Sequence, residues 1–168
     1  MSSIEFALIV VAGFVLMEPL TAATHRWVMH GVGEWFHRSH HRPGSSSRWE
    51  RNDWFPVAFA SIVMFGFLIG FNTELTALVP LGIGVTLYGV AYALVHDGYI
   101  HRRLRVFGSR RTAALDRLAD AHRIHHLYNA APYGMLVPIV PSELRARAAM
   151  TDRDPFTEVI RPVATTVV

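Results

Sequence analysis

From Ile4 to Thr24 the sequence runs for 21 residues interrupted only by Glu5, Glu18 and small polar side chains. At 1.5 Å per residue, a helix of that length crosses a hydrocarbon core ~30 Å thick. Two further apolar runs follow, Phe55 to Phe71 and Leu75 to Val95, separated only by Asn72, Thr73 and Glu74. A tight hairpin of two spanning helices is expected there. Trp54 heads the second run as an interfacial anchor, and Pro56 falls in its first turn, where a missing N–H breaks no helical bond. Gly82, Gly84 and Gly89 offer small surfaces for close helix contact in the third. Glu18 is costly at its depth, so it faces either the bundle or a cavity, or else is a partly wet structural carboxylate. The first run does not resemble a signal peptide, since no basic residue precedes it and it leads directly into histidines.

Charge sets the expected orientation. All 16 basic residues are arginines, and each lies between Arg26 and Arg51 or from Arg102 onward. By the positive-inside rule those segments are cytoplasmic, while the N-terminus and hairpin tip face the other way. The expected location is thus the cytoplasmic (inner) membrane, with the His-rich face on the cytoplasmic side. A net charge of +3 alone would also fit a nucleic-acid binder. Arginines confined to blocks beside apolar runs are instead a membrane pattern, so no nucleic-acid partner is expected. The chain has no cysteine, which removes disulfides, thiolate zinc sites and thiol catalysis.

Any metal must therefore be held by His, Asp or Glu, and all ten histidines fall in four boxes. These are His25 and His30, then His37, His40 and His41, then His96 and His101, and finally His122, His125 and His126. Steps of three and four return to one face of a helix, so each H-x-x-H-H triplet is expected to present its imidazoles together. A five-residue step turns an ideal helix by about 500° and leaves two rings roughly 140° apart. Such a pair serves two ions, or else the helix distorts or breaks near Gly31 or Gly98. The first span and the hairpin deliver all four boxes to one membrane face. Ten ligands exceed what one ion uses, which points to two ions, and a thiolate-free imidazole site suits iron, zinc, copper or nickel. Asp97, Asp120, Glu34 and Asp53 are candidate acceptors for the second ring nitrogens, although Asp53 equally suits the N-cap of the second span. A helix is expected over Thr112 to Tyr128. Tyr133 to Pro141 is apolar but too short to span, and the tail 150–168 carries no functional signal.

The fold class expected is all-α: an integral membrane helical bundle of three to four membrane helices with a His-rich cytoplasmic cap. It is a single domain over residues 1–168, with spans at about 4–24, 55–71 and 75–95 and His boxes over 25–41 and 96–126. The recurrence of a five-step pair followed by a triplet hints at an internal duplication.

This set of boxes on so short a chain resembles the bacterial β-carotene 3-hydroxylases of the membrane fatty-acid hydroxylase superfamily. The resemblance covers roughly Ile4 to Met150. Its most specific stretches are His25 to His41, Asn52-Asp53 at the head of the second span, Val95 to Arg102, and Ala121 to His126. It implies that all ten histidines bind metal and that the working metal is a non-haem pair of Fe ions, which Zn could replace in a purified preparation. It further implies a monooxygenase consuming O2 and two electrons from an external ferredoxin-type donor and its reductase. The implied substrate is a carotenoid reached from the membrane lipid, taken from β-carotene through β-cryptoxanthin to zeaxanthin. After His126 the chain departs from the family's Ser-Phe-Gly-Phe-like core and reads Leu127-Tyr128-Asn129-Ala130-Ala131-Pro132-Tyr133-Gly134-Met135. Ring specificity is the property this departure touches.

Three other readings compete: one within the same class, and two from other classes, a metal-binding or transport protein and a bis-histidine haem protein, whose His pairs would face across spans. Hydroxylation or desaturation of a fatty acyl or sterol chain uses the same boxes. A divalent-metal store or transporter would also be His-rich, but transport needs polar ligands at mid-bilayer depth, and the three apolar runs contain no histidine.

Overall fold

The computed structural model describes residues 1–42 and 49–156. The part of the tail beyond Phe156 lies outside the described residues. Among those described, the secondary structure is entirely helical, as an all-α membrane bundle requires.

Helix α1 spans Ser3–Thr24. Ser2 starts it with a reciprocal capping box, its hydroxyl accepting from Glu5 N while the Glu5 carboxylate accepts from Ser2 N. The helix continues without interruption into a π-helical segment, His25–Val32, and after Gly33 into the short α2, Glu34–His37. A 3-10 turn over Arg51–Asp53 leads into α3, Trp54–Asn72. Helix α4, Leu78–Ala93, likewise passes into a π-helical segment, Leu94–Ile100. With these extensions the three stretches long and apolar enough to span a membrane are Ser3–Val32, Arg51–Asn72 and Leu78–Ile100. The hairpin tip is longer than the sequence implied, because the third helix begins at Leu78 rather than Leu75.

Apolar side chains of the spans point outward rather than in; Leu8, Leu16, Ile62 and Phe65 are all exposed. A surface of this kind is stable only against lipid, with every backbone polar group paired inside the helix. The bundle is held by close backbone approach instead of a large core. Helix α4 packs mainly on α1 and on α3. A Cβ on Gly84 would strike Val10 O and Phe14 N, and one on Gly13 would lie 2.9 Å from Leu81 O. Gly82 sits against the Phe67 ring, whereas Gly89 meets nothing and so does not serve as a contact surface.

Above the spans lie α5, Ala113–Tyr128, and α6, Ser142–Ala149. Thr112 caps α5, its hydroxyl accepting from Leu115 N at 3.3 Å. The Tyr99 hydroxyl fastens this helix to the end of the third span, donating to Asp116 at 2.5 Å and accepting from Thr112 N at 3.1 Å. Val95, Tyr99, Ile100 and Met135 form a small apolar core at this junction.

Candidate metal centre

The two five-residue pairs coincide with the two π-helical segments. A π-turn closes with an i to i+5 hydrogen bond, here His101 N to His96 O at 2.8 Å and Gly33 N to Val28 O at 2.7 Å. The wider turn brings a five-residue step back near a full circle, so the rings that an α-helix would hold apart come together. Ring centroids are 5.0 Å apart for His25 and His30 and 4.5 Å for His96 and His101. Of the alternatives the five-step spacing left open, a distorted helix is the one found. Gly31 also leaves helical geometry, at φ −113° and ψ −115°.

All ten imidazoles converge into two adjoining groups. Ligand nitrogens of His25, His30, His37, His41 and His125 lie within 4.8 Å of one another, and so do those of His40, His101, His122 and His126. His96 joins the second group through its Nε2, 3.0 Å from His40 Nε2. The triplets do not each face one way. His37 and His41 enter the first group and His40 the second, while His122 and His126 enter the second and His125 the first. Consecutive residues differ by about 100° on a helix, so a triplet ending in two adjacent histidines straddles two directions.

Five of the ten rings are oriented by what their Nδ1 meets. His25 Nδ1 donates to Tyr133 O at 3.0 Å and His125 Nδ1 to Ala130 O at 2.5 Å. Asn129 makes the second contact possible by ending α5 in the left-handed conformation, φ 51°, which turns the chain back over His125. His37 Nδ1 faces Asn52 Oδ1 at 2.7 Å, His40 Nδ1 faces Glu50 at 3.4 Å, and His96 Nδ1 faces Asp97 at 2.9 Å. His41 differs from these five, with a buried Nδ1 that meets no partner among the described residues.

Those contacts determine where the lone pairs point. A neutral imidazole whose Nδ1 carries the proton has a bare Nε2. Yet His25 Nε2 and His37 Nε2 are 3.1 Å apart, and His40 Nε2 and His96 Nε2 are 3.0 Å apart. Two bare nitrogens repel at that distance unless a cation lies beside both. Other Nε2 pairs repeat the spacing, from 2.9 Å for His122 and His126 to 3.2 Å for His30 and His125. Ligands at right angles on an ion with metal–nitrogen bonds of ~2.1 Å would be about 3.0 Å apart, so the donor set fits a transition metal in each group. Protonation does not intervene at neutral pH. Burial pushes His37 down to about 4 and His40 and His125 to about 3. Burial and neighbouring rings likewise hold His41, His101, His122 and His126 far below the usual range.

The acidic candidates separate. Asp97 accepts from His96 as described and also pairs with Arg103 at 3.4 Å. Asp53 occupies the N-cap position of α3 without capping it; its carboxylate is taken by Arg103 at 2.6 Å and by Glu50 N at 2.8 Å. Asp120 pairs with Arg123 and Glu34 with Arg38, both on the exposed face, and neither accepts a hydrogen bond from a ring nitrogen among the described contacts. The acceptors that sequence reasoning missed are Glu50, Asn52 and the carbonyls of Ala130 and Tyr133. Only the Asn52-Asp53 pair carried any sequence signal, and a backbone carbonyl carries none. Two aromatic rings close the site. Tyr133 packs on His25, His30 and His125 at 5.5–5.6 Å, and Phe156, from the segment in which no function was read, packs 5.0 Å from both His101 and His126.

A helical membrane bundle carrying two histidine groups of this kind is a membrane metalloprotein of the His-box class. Residues 10–141 match the model of the fatty acid hydroxylase family, and the chain belongs to that family. It is 37% identical over 144 residues to a β-carotene hydroxylase of Pseudescherichia vulneris, covering 83% of this chain and 81% of that one. It is 39% identical over 120 residues to a β-carotene hydroxylase of Pantoea ananas, covering 71% and 67%. A chloroplastic β-carotene 3-hydroxylase of Haematococcus lacustris is 36% identical over 145 residues, 82% of this chain and 44% of that longer one. No solved structure matches the chain.

Proposed function

We propose that this protein is a carotenoid ring hydroxylase, adding hydroxyl groups to the β-ionone rings of β-carotene to give β-cryptoxanthin and then zeaxanthin. The observation that carries this reading is the double cage of bare Nε2 atoms at the end of the spans, in a chain whose relatives are β-carotene hydroxylases. His25, His30, His37, His41 and His125 hold one iron, and His40, His96, His101, His122 and His126 hold the other. When bound, the pair supplies reduction of O2 with two external electrons and oxidation of an unactivated C–H bond.

The chain's own residues do the rest. The carbonyls of Tyr133 and Ala130, the Asn52 amide and the Glu50 and Asp97 carboxylates fix the Nδ1 tautomers, so the lone pairs point inward before any ion arrives. Tyr133 and Phe156 exclude water from the two groups. Because the cage sits where the spans end, a ring carried in the bilayer reaches it without leaving lipid. The arginine-rich segment from Arg102 to Arg123 supports a cytoplasmic location for this end, at the face of the inner membrane, and offers a dock for an acidic ferredoxin-type donor, itself recharged by a reductase.

The test is pigment analysis of a β-carotene-producing bacterium with and without the gene, beside a His125→Ala variant. Zeaxanthin and β-cryptoxanthin that appear with the gene and disappear with the variant are the expected result. Unchanged β-carotene, from an expressed, iron-loaded protein with a competent donor, would redirect the assignment to fatty acyl or sterol chains.

A further inference from the structure

Glu18 lies within the first span, at a depth where a carboxylate is expensive unless its oxygens are fully engaged. They are. The Tyr88 hydroxyl donates to Oε2 at 2.6 Å, and three consecutive backbone N–H groups close around it. Met135 N reaches Oε1 at 2.9 Å, Leu136 N reaches Oε2 at 3.0 Å and Val137 N reaches Oε1 at 2.8 Å. Glu18 lies seven positions before His25 along the helix, so the loop after α5 descends ~10 Å below the first histidine to reach this carboxylate. Irregular backbone survives at such depth only where its N–H groups are paired. Gly134 permits the approach, since a Cβ there would lie 2.6 Å from Glu18 Oε1.

The same loop carries the two carbonyls that orient the first histidine group, Ala130 O on His125 and Tyr133 O on His25. Two rings of the second group, His40 and His96, take their orientation elsewhere, from Glu50 and Asp97. We infer that Glu18 is a positioning residue for the first metal alone: its carboxylate anchors residues 135–137, and the anchored loop holds the Tyr133 and Ala130 carbonyls against His25 and His125. This role rests on the metal-centre reading above and adds a residue that touches no ligand itself.

The experiment uses the full chain in detergent micelles, with anaerobic Fe(II) titration and amide hydrogen exchange over residues 130–138. Glu18→Gln replaces a carboxylate oxygen by an amide that points donors at donors, whereas Tyr88→Phe removes one donor and leaves three. In Glu18→Gln, with helix content retained by circular dichroism, the amides of Met135, Leu136 and Val137 should exchange at least ~10-fold faster. One of the two Fe(II) binding steps should weaken by about 10- to 100-fold, the size typical of a lost orienting contact. The step that persists should be the one abolished by His122→Ala, and Tyr88→Phe should keep the loop protected. Parallel weakening of both steps would make Glu18 a merely structural residue and overturn the inference. Normal two-ion uptake that Glu18→Gln leaves unweakened would overturn it too, while sparing the metal reading. A wild-type chain that takes up no Fe(II) would sink both.

Discussion

At the scale of single residues, the site is governed by acceptors more than by the histidines themselves. Asn52 is buried beside His37 and offers one oxygen to its Nδ1 at 2.7 Å. Asn52→Ala removes the one acceptor found on that nitrogen among the described residues, and metal affinity should fall by about 10- to 100-fold. Asn52→Asp keeps an acceptor and should restore most of it. Asp120, chosen from sequence for its place beside a His box, pairs with Arg123 on the exposed face, so Asp120→Asn should leave affinity unchanged. Competitive titration against a chelator checks all three. The contrast shows what a sequence conveys about such a centre. Ten imidazoles in four boxes announce themselves, but their partners are chosen by which loop folds over which ring. Half of the acceptors missed are main-chain carbonyls with no side-chain signature at all.

At the scale of elements, the three spans and α5 were legible because apolar length and a three- and four-residue period survive without tertiary context. The π-segments were only half legible. A five-residue spacing reveals that an ideal helix will not serve, yet the choice between a wider turn and a break depends on what α5 and α2 bring to meet the rings. Helix contacts were legible in part as well: Gly84 lies against the backbone of α1, whereas Gly89, of the same residue type in the same helix, touches nothing. Gly84→Ala should therefore lower stability by about 1–3 kcal/mol, since its neighbours are backbone atoms that cannot rotate away. Gly89→Ala should be neutral or slightly stabilising, because alanine is the better helix former by about 1 kcal/mol. Thermal melting in one detergent compares the two directly.

At the scale of the whole molecule, a dense set of neutral imidazoles makes the fold sensitive to acid. His37 is held at about 4 and His40 and His125 at about 3 in the folded chain, against an ordinary value of 6.5. Above pH 6.5 these rings are neutral whether the chain is folded or not, and the stability is fully present. Below it, the unfolded chain takes up protons that the folded chain refuses, so stability drains away as pH falls through about 4 and 3. With iron removed by chelation, the melting midpoint should be flat above pH 7 and drop steeply below 6.5. A midpoint unchanged down to pH 4 would mean that the rings accept protons in place. The crossed triplets add a constraint on how such a molecule matures. The turn from His37 to His41 lends rings to both groups, and so does α5. Ordering these segments around one ion completes most of the second cage at no further conformational cost. Each ion therefore braces the frame of the other, and the second of the two binding steps meets rings that the first has already helped to set in place.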